Sequence, residues 1–159
     1  MVTQERLKEL LHYNPDTGVF TRRVSVARGG KAGDTVGTVQ KKGYVVIKID
    51  GKVYYAHRLA WLYMTGEWPA NEIDHKNLDK SFNAWGNLRE ATSSQNAANR
   101  LGWSATGFKG VAKSGSGYRA EIQVNGKRRN LGSFRTPEEA HAAYVEAANN
   151  NFGKFARAS

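Results

Sequence analysis

The stretch from Glu72 to Asn99, EIDHKNLDKSFNAWGNLREATSSQNAAN, gathers residue types that can do chemistry together. Asp74 offers a hard anionic oxygen and Asn96 a neutral carboxamide oxygen, a pair suited to one Mg²⁺ or Mn²⁺ with waters and phosphate oxygens completing the shell. His75 has an ordinary pKa near 6.5, which makes it a workable base at neutral pH, provided it does not itself ligate the ion. A base that activates water and a cation that neutralises charge are the two needs of phosphodiester hydrolysis. Asn87 reads as structural, because a buried asparagine usually bridges backbone groups of a loop. His57, in AHRLAW, reads on its own as a satisfied core or helix-start histidine. For the dipeptide Asp74–His75 alone, a surface ion pair or a cap is the better reading; the agreement with Asn87 and a capped Asn96 reverses that.

These side chains need elements to hold them. Leu88 to Ala91 predicts a short strand, and Thr92 with Gln95 forms a capping box that starts a helix, so Asn96 falls in the first helical turn. The order is strand, loop, strand, helix. Upstream, Leu7, Leu10 and Leu11 predict one apolar face of a short helix, Asp16 to Gly18 a turn, and Val19 the start of a strand. Tyr44 to Ile49 and Lys52 to Ala56 flank Asp50–Gly51, the dipeptide of a two-residue hairpin. His57 to Met64 predicts a buried helix stopped by Gly66 and Pro69. His12 and His141 read as ordinary helix residues.

The C-terminal part predicts three antiparallel strands, Phe108 to Lys113, Tyr118 to Val124 and Lys127 to Phe134, joined at Ser114 to Gly117 and at Asn125–Gly126. Thr136, Pro137 and Glu139 then supply a cap, a first-turn proline and a capping-box glutamate, and Ala140, Ala143, Tyr144 and Ala147 give the following helix a small-residue face. Asn99 to Gly107 has no periodicity and reads as a linker. The expected division is 1–100, a linker at 101–106, and 107–159, in an α+β chain whose second domain is a three-stranded antiparallel sheet packed on one helix.

The 159 residues carry a formal charge of +10, with 15 Lys/Arg against 10 Asp/Glu in residues 1–100 and 9 against 4 in 101–159. That balance favours a polyanionic partner, duplex DNA first, with RNA or an anionic lipid surface supported by charge alone. Lys109, Lys113, Arg119, Arg128 and Arg129 lie on or beside the three strands and are the candidate DNA contacts. With no cysteine there is neither a disulfide nor a thiolate zinc site, and the four histidines lack zinc-finger spacing, so no structural zinc is expected. No apolar run is long enough to span a bilayer, and the N-terminus reads as an amphipathic helix rather than a signal peptide, so a cytoplasmic monomer with no membrane association and no obligate protein partner is expected.

The constellation Asp74, His75, Asn87 and Asn96 resembles the H-N-H motif of the ββα-metal nucleases, in the form of phage and intron-encoded homing endonucleases where asparagine replaces the last histidine. The resemblance covers about residues 10 to 100. It implies a ββα-metal nuclease domain, His75 as general base, Asp74 and Asn96 as metal ligands, Asn87 as a brace of the loop, and His57 as a recurrent upstream histidine. The turn departs from relatives at Leu78, Phe82, Ala84 and Gly86. FKGV at 108–111, YRAEI at 118–122, LGSF at 131–134 and TPEEAHAAYVEAA at 136–148 resemble the APETALA and ethylene-response-factor DNA-binding domain, with lysine at 109 in place of the usual arginine. Together they imply a metal-dependent endonuclease acting on duplex DNA. The alternative is a DNA-binding regulator with an inactive nuclease fold.

Overall fold

The computed structural model describes residues 1–26, 30–100 and 104–157. The chain forms two compact units, Met1–Glu90 and Ala91–Ser159. The linker expected at 101–106 lies partly outside the described residues. The second unit begins at Ala91, ahead of the expected boundary, and therefore takes in the helix that carries Asn96.

In the first unit α1 (Gln4–Leu10) starts at Thr3, whose hydroxyl accepts the amide of Arg6. Leu7 is wholly buried, whereas Leu11 opens strand β1 (Leu11–Tyr13) instead of extending the helix. His12 accordingly lies on a strand, not a helix. The turn after β1 leads to β2 (Phe20–Arg22), which pairs antiparallel with β1 and with β3 (Thr35–Val36). A second sheet runs β4 (Thr38–Val39), β5 (Val45–Ile49) and β6 (Lys52–Tyr55). Its hairpin turns at Asp50 and Gly51, both at positive φ (47° and 79°), the geometry a two-residue turn demands. Helix α2 (Ala56–Thr65) ends on Gly66 in the left-handed region, and its Leu59, Ala60 and Leu62 join Leu7, Tyr13, Phe20, Ile47 and Ile49 in one core. Against that core stand β7 (Glu72–His75), a loop ending in a single helical turn at Trp85–Asn87, and β8 (Leu88–Ala91), paired with β7 in a two-stranded sheet.

The second unit contains α3 (Ser93–Asn99) and a meander of β9 (Val111–Ser114), β10 (Gly117–Val124) and β11 (Lys127–Phe134), with β10 in the centre. Helix α4 (Pro137–Phe152) covers one face, burying Ala140, Tyr144, Ala148 and Phe152; this stripe repeats every four residues and leaves Ala143 and Ala147 at its margin. The first strand starts later than Phe108. Gly110 sits at φ +75°, where the chain passes so close to the Tyr144 ring that a β-carbon would fall 2.0 Å from it. Both capping boxes, Thr92 with Gln95 and Thr136 with Glu139, are present.

Candidate functional site

His75 closes β7 with only 4% of its surface exposed. Its Nε2 lies 3.0 Å from Oδ1 of Asn83, a side chain that is itself 2% exposed. The Asn83 amide Nδ2 donates to the Ser81 carbonyl at 3.0 Å, which fixes Oδ1 as the acceptor facing the histidine. The proton shared with Asn83 therefore belongs to Nε2, and the lone pair of the neutral ring belongs to Nδ1. Burial lowers the His75 pKa from its ordinary value; the Asn83 hydrogen bond and the charges of Asp74 and Asp79 push the other way.

Asn83 is held from below. The Tyr13 hydroxyl donates to the Asn83 carbonyl at 2.7 Å, and Gly18, at φ +75°, lies where a β-carbon would come within 2.2 Å of the same carbonyl carbon. The turn after β1 thus abuts the loop that orients the histidine. Asn83 carries no family-pattern signal in the sequence, because Asn87 takes the place of the central asparagine. The available signal was chemical: a buried imidazole needs an acceptor, and SFNAWGN holds two asparagines. Asn87 itself is buried; its Nδ2 donates to the Phe82 carbonyl at 2.8 Å and its Oδ1 accepts the Asn77 amide at 3.1 Å, so it ties the two ends of the loop.

Asp74, beside His75 on β7, is 4% exposed and pairs with Arg89 of β8. Both Nε and Nη2 of Arg89 reach the same oxygen, Oδ2, at 2.8 Å. The sequence alone does not announce this ion pair, although a buried aspartate requires a cation or donors and Arg89 lies on the strand predicted at Leu88 to Ala91. Among the described residues no three His, Asp or Glu side chains converge on one point. By their chemistry a carboxylate such as Asp74 and a carboxamide such as Asn96 are each donors for an oxygen-loving divalent ion that keeps much of its own water. Asn96 is half-buried in α3, four residues past the cap and within the second compact unit, whereas Asp74, His75 and Asn87 lie in the first.

His57, the second residue of α2, stands among aromatic rings: 5.3 Å from the Tyr55 centroid and stacked on it, 5.4 Å from Tyr44, and 5.2 Å edge-to-face with His75. Burial, then the neighbouring charges of His75 and Arg58, push its pKa down to about 3. The Nδ1 atom is buried without a hydrogen-bond partner, so the expectation of a satisfied core histidine fails at that atom.

The basic residues of the second unit separate by register. Arg119 and Gln123 project from the face of β10 opposite Ala120, Ile122 and Val124, and Arg128, paired with Gln123, shares that open face. Glu121 lies between the two arginines, its Oε1 2.9 Å from Arg119 Nε and its Oε2 3.6 Å from Arg128 Nη1. The first contact is short but poorly aligned, so Arg119 Nε counts as charge-paired without a hydrogen bond. Arg129 pairs with Ile122 and Lys113 with Tyr118, which puts both on the helix side of the sheet, exposed at its margins. Lys109 precedes β9, and its ammonium donates to the carbonyls of Ala98, Arg100 and Arg157 at 2.6, 2.6 and 3.2 Å. It closes the C-terminal end of α3 and is not a cation offered to solvent.

Residues 54–98 match the model of the HNH endonuclease family. An HNH endonuclease of Acanthamoeba polyphaga mimivirus is 33% identical over 118 residues, covering 73% of this chain and 62% of the relative. The chain thus spans less than two thirds of that relative's length. Among solved structures, one titled for DNA binding and cleavage by the HNH homing endonuclease I-HmuI is 27% identical, with a TM-score of 0.43, covering 57% of this chain and 51% of that one.

Proposed function

We propose that this chain is a metal-dependent endonuclease of duplex DNA, with its general base on β7 and a DNA grip on the open face of the three-stranded sheet. The observation that carries the reading is the buried pair Asp74–His75, with the imidazole aimed by Asn83 and its pKa lowered by burial. The match of residues 54–98 to the HNH endonuclease family supports it. His75 takes the proton of the attacking water on Nδ1, while the Nε2–H bond to Asn83 keeps the ring from rotating as positive charge develops. Asp74 and Asn96 would hold a Mg²⁺ or Mn²⁺ ion, which supplies neutralisation of charge on the phosphate and on the departing 3′ oxygen. Arg119 and Arg128 supply phosphate or base contacts on DNA, as flanking guanidinium groups on a pleated surface that fits a major groove. A role as a homing endonuclease belongs to the same proposal, on the family resemblance.

A second reading, a DNA-binding regulator with a silent nuclease fold, is favoured by one observation: Asp74 already engages a full positive charge in Arg89. One experiment separates the two. Supercoiled plasmid incubated with the chain in Mg²⁺ or Mn²⁺, with and without EDTA, should be nicked or linearised only where free metal is present; intact plasmid together with retained duplex binding establishes the regulator instead.

A further inference from the structure

We propose that His57 and the N-terminal end of α2 form a phosphate-binding element of the site, in which the His57 ring donates Nε2–H to the backbone phosphate being attacked. The inference rests on the nuclease reading above for the identity of the anion as a DNA phosphate.

Two independent observations point to an anion here. First, α2 begins without compensation for the positive end of its backbone dipole: its cap residue, Tyr55, contributes no side-chain hydrogen bond, and the first turn contains no acidic residue. Second, His57 is 93% buried (7% exposed); among the described residues Nδ1 is buried without a hydrogen-bond partner, and Nε2 makes no hydrogen bond either. Only Nδ1 is sealed from solvent as an orphan atom; Nε2 is the nitrogen that remains accessible. An N–H buried without an acceptor is penalised more heavily than a lone pair buried without a donor. The stable tautomer therefore carries its proton on Nε2 and presents it outward.

The surroundings suit a phosphate. Tyr55 and Tyr44 pack on the His57 ring, and Lys80 places its ammonium 5.1 Å from the Tyr44 centroid, so positive charge lies nearby without an acidic neighbour on the ring. The His75 ring stands 5.2 Å away, and its Nε2 is already engaged with Asn83. The two imidazoles thus have different duties within reach of one phosphate group: His75 accepts a proton, and His57 donates a hydrogen bond. Because burial keeps His57 neutral, it can strengthen that bond as charge grows on the phosphate oxygen without losing its proton to water.

Three substitutions in the full chain test this. His57→Phe keeps the ring and its stacking but removes both nitrogens; kcat should fall about 10²-fold, the usual cost of deleting one donor to developing charge, with KM for duplex changed far less. Thermal stability should hold or rise, because an unsatisfied buried atom is lost. His57→Gln, whose amide reaches about where Nε2 stands, should recover part of kcat, while His57→Asn, which mimics Nδ1, should not. Long-range ¹H–¹⁵N spectra of histidine-labelled wild type should show the proton on Nε2, and that signal should shift when duplex DNA is added in EDTA. Wild-type kcat in His57→Phe, equal rescue by Asn and Gln, or a proton on Nδ1 would each overturn the assignment. If wild type cuts no duplex with any metal yet the Nε2 signal still moves on adding DNA, the phosphate element stands and the nuclease reading falls.

Discussion

The loop between β7 and β8 and the open face of the C-terminal sheet both concentrate polar side chains, yet they are built in opposite ways. In the first, Asp74, His75, Asn83 and Asn87 are each less than 10% exposed, with partners within fifteen residues of chain. In the second, Arg119 and Arg128 keep 42% and 73% of their side-chain surface, and their shared acid, Glu121, is on the same sheet. Proton transfer gains from a fixed, dry geometry, where each electrostatic interaction is stronger. Attraction to a phosphate backbone works at the surface through counterion release. The contrast predicts that damage to the first region removes turnover and leaves binding, and that damage to the second does the reverse.

The largest effect should come from His75→Ala. Cleavage of plasmid in Mg²⁺ should drop by about 10²- to 10⁴-fold, the range expected for loss of a general base, with duplex affinity by fluorescence anisotropy nearly unchanged. If affinity collapses with activity, the two regions do not divide the work. Next is Asn83→Leu, which leaves the His75 Nε2–H buried without its acceptor. Turnover should fall about tenfold or more through loss of ring orientation, and denaturant unfolding should show about 1–3 kcal/mol less stability. Unchanged kcat would limit Asn83 to a structural part.

Acid provides a third test, read on stability. The His57 pKa is pushed down to about 3 from 6.5, so the unfolded chain takes up a proton near pH 6.5 that the folded chain resists until about pH 3. Stability from this group is complete above pH 6.5 and is lost as pH falls through that window, by up to about 1.4 kcal/mol per pH unit. His75, lowered in the same direction, adds to the slope. Urea unfolding at a series of pH values should show the decline, and His57→Phe should flatten it. The smallest effect belongs to the sheet: Arg128→Ala should reduce the salt slope of duplex binding by up to about one unit with kcat unchanged, and Arg129→Ala, registered on the helix side, should do less. Equal losses from both would mean that register does not select the DNA face.

Where local chemistry dictates local structure, the sequence was sufficient. The hairpin at Asp50–Gly51, the left-handed stop at Gly66, and the two capping boxes at Thr92 and Thr136 all depend on residues within a few positions of one another. The segment EIDH, loop, LREA and SSQN was readable as strand, loop, strand and helix for the same reason. Period-two alternation alone puts Arg119 and Gln123 on one face of β10, whereas Arg128 joins them only through the pairing register of the fold.

Tertiary structure decided everything that depends on who is near whom. Leu11 left its helix for β1 because a strand partner, Arg22, was available across the turn. Asn83 became the partner of His75 because Tyr13 and Gly18, distant in sequence, fix the loop that carries it. Arg89 became the counter-charge of Asp74 only through the pairing of β7 and β8, and Lys109 turned from a candidate DNA contact into a cap for α3 because three carbonyls converge on its ammonium. A charge pattern records which groups a chain possesses; which of them face solvent is set by long-range packing, because burying a charge is tolerable only where the fold brings it a partner.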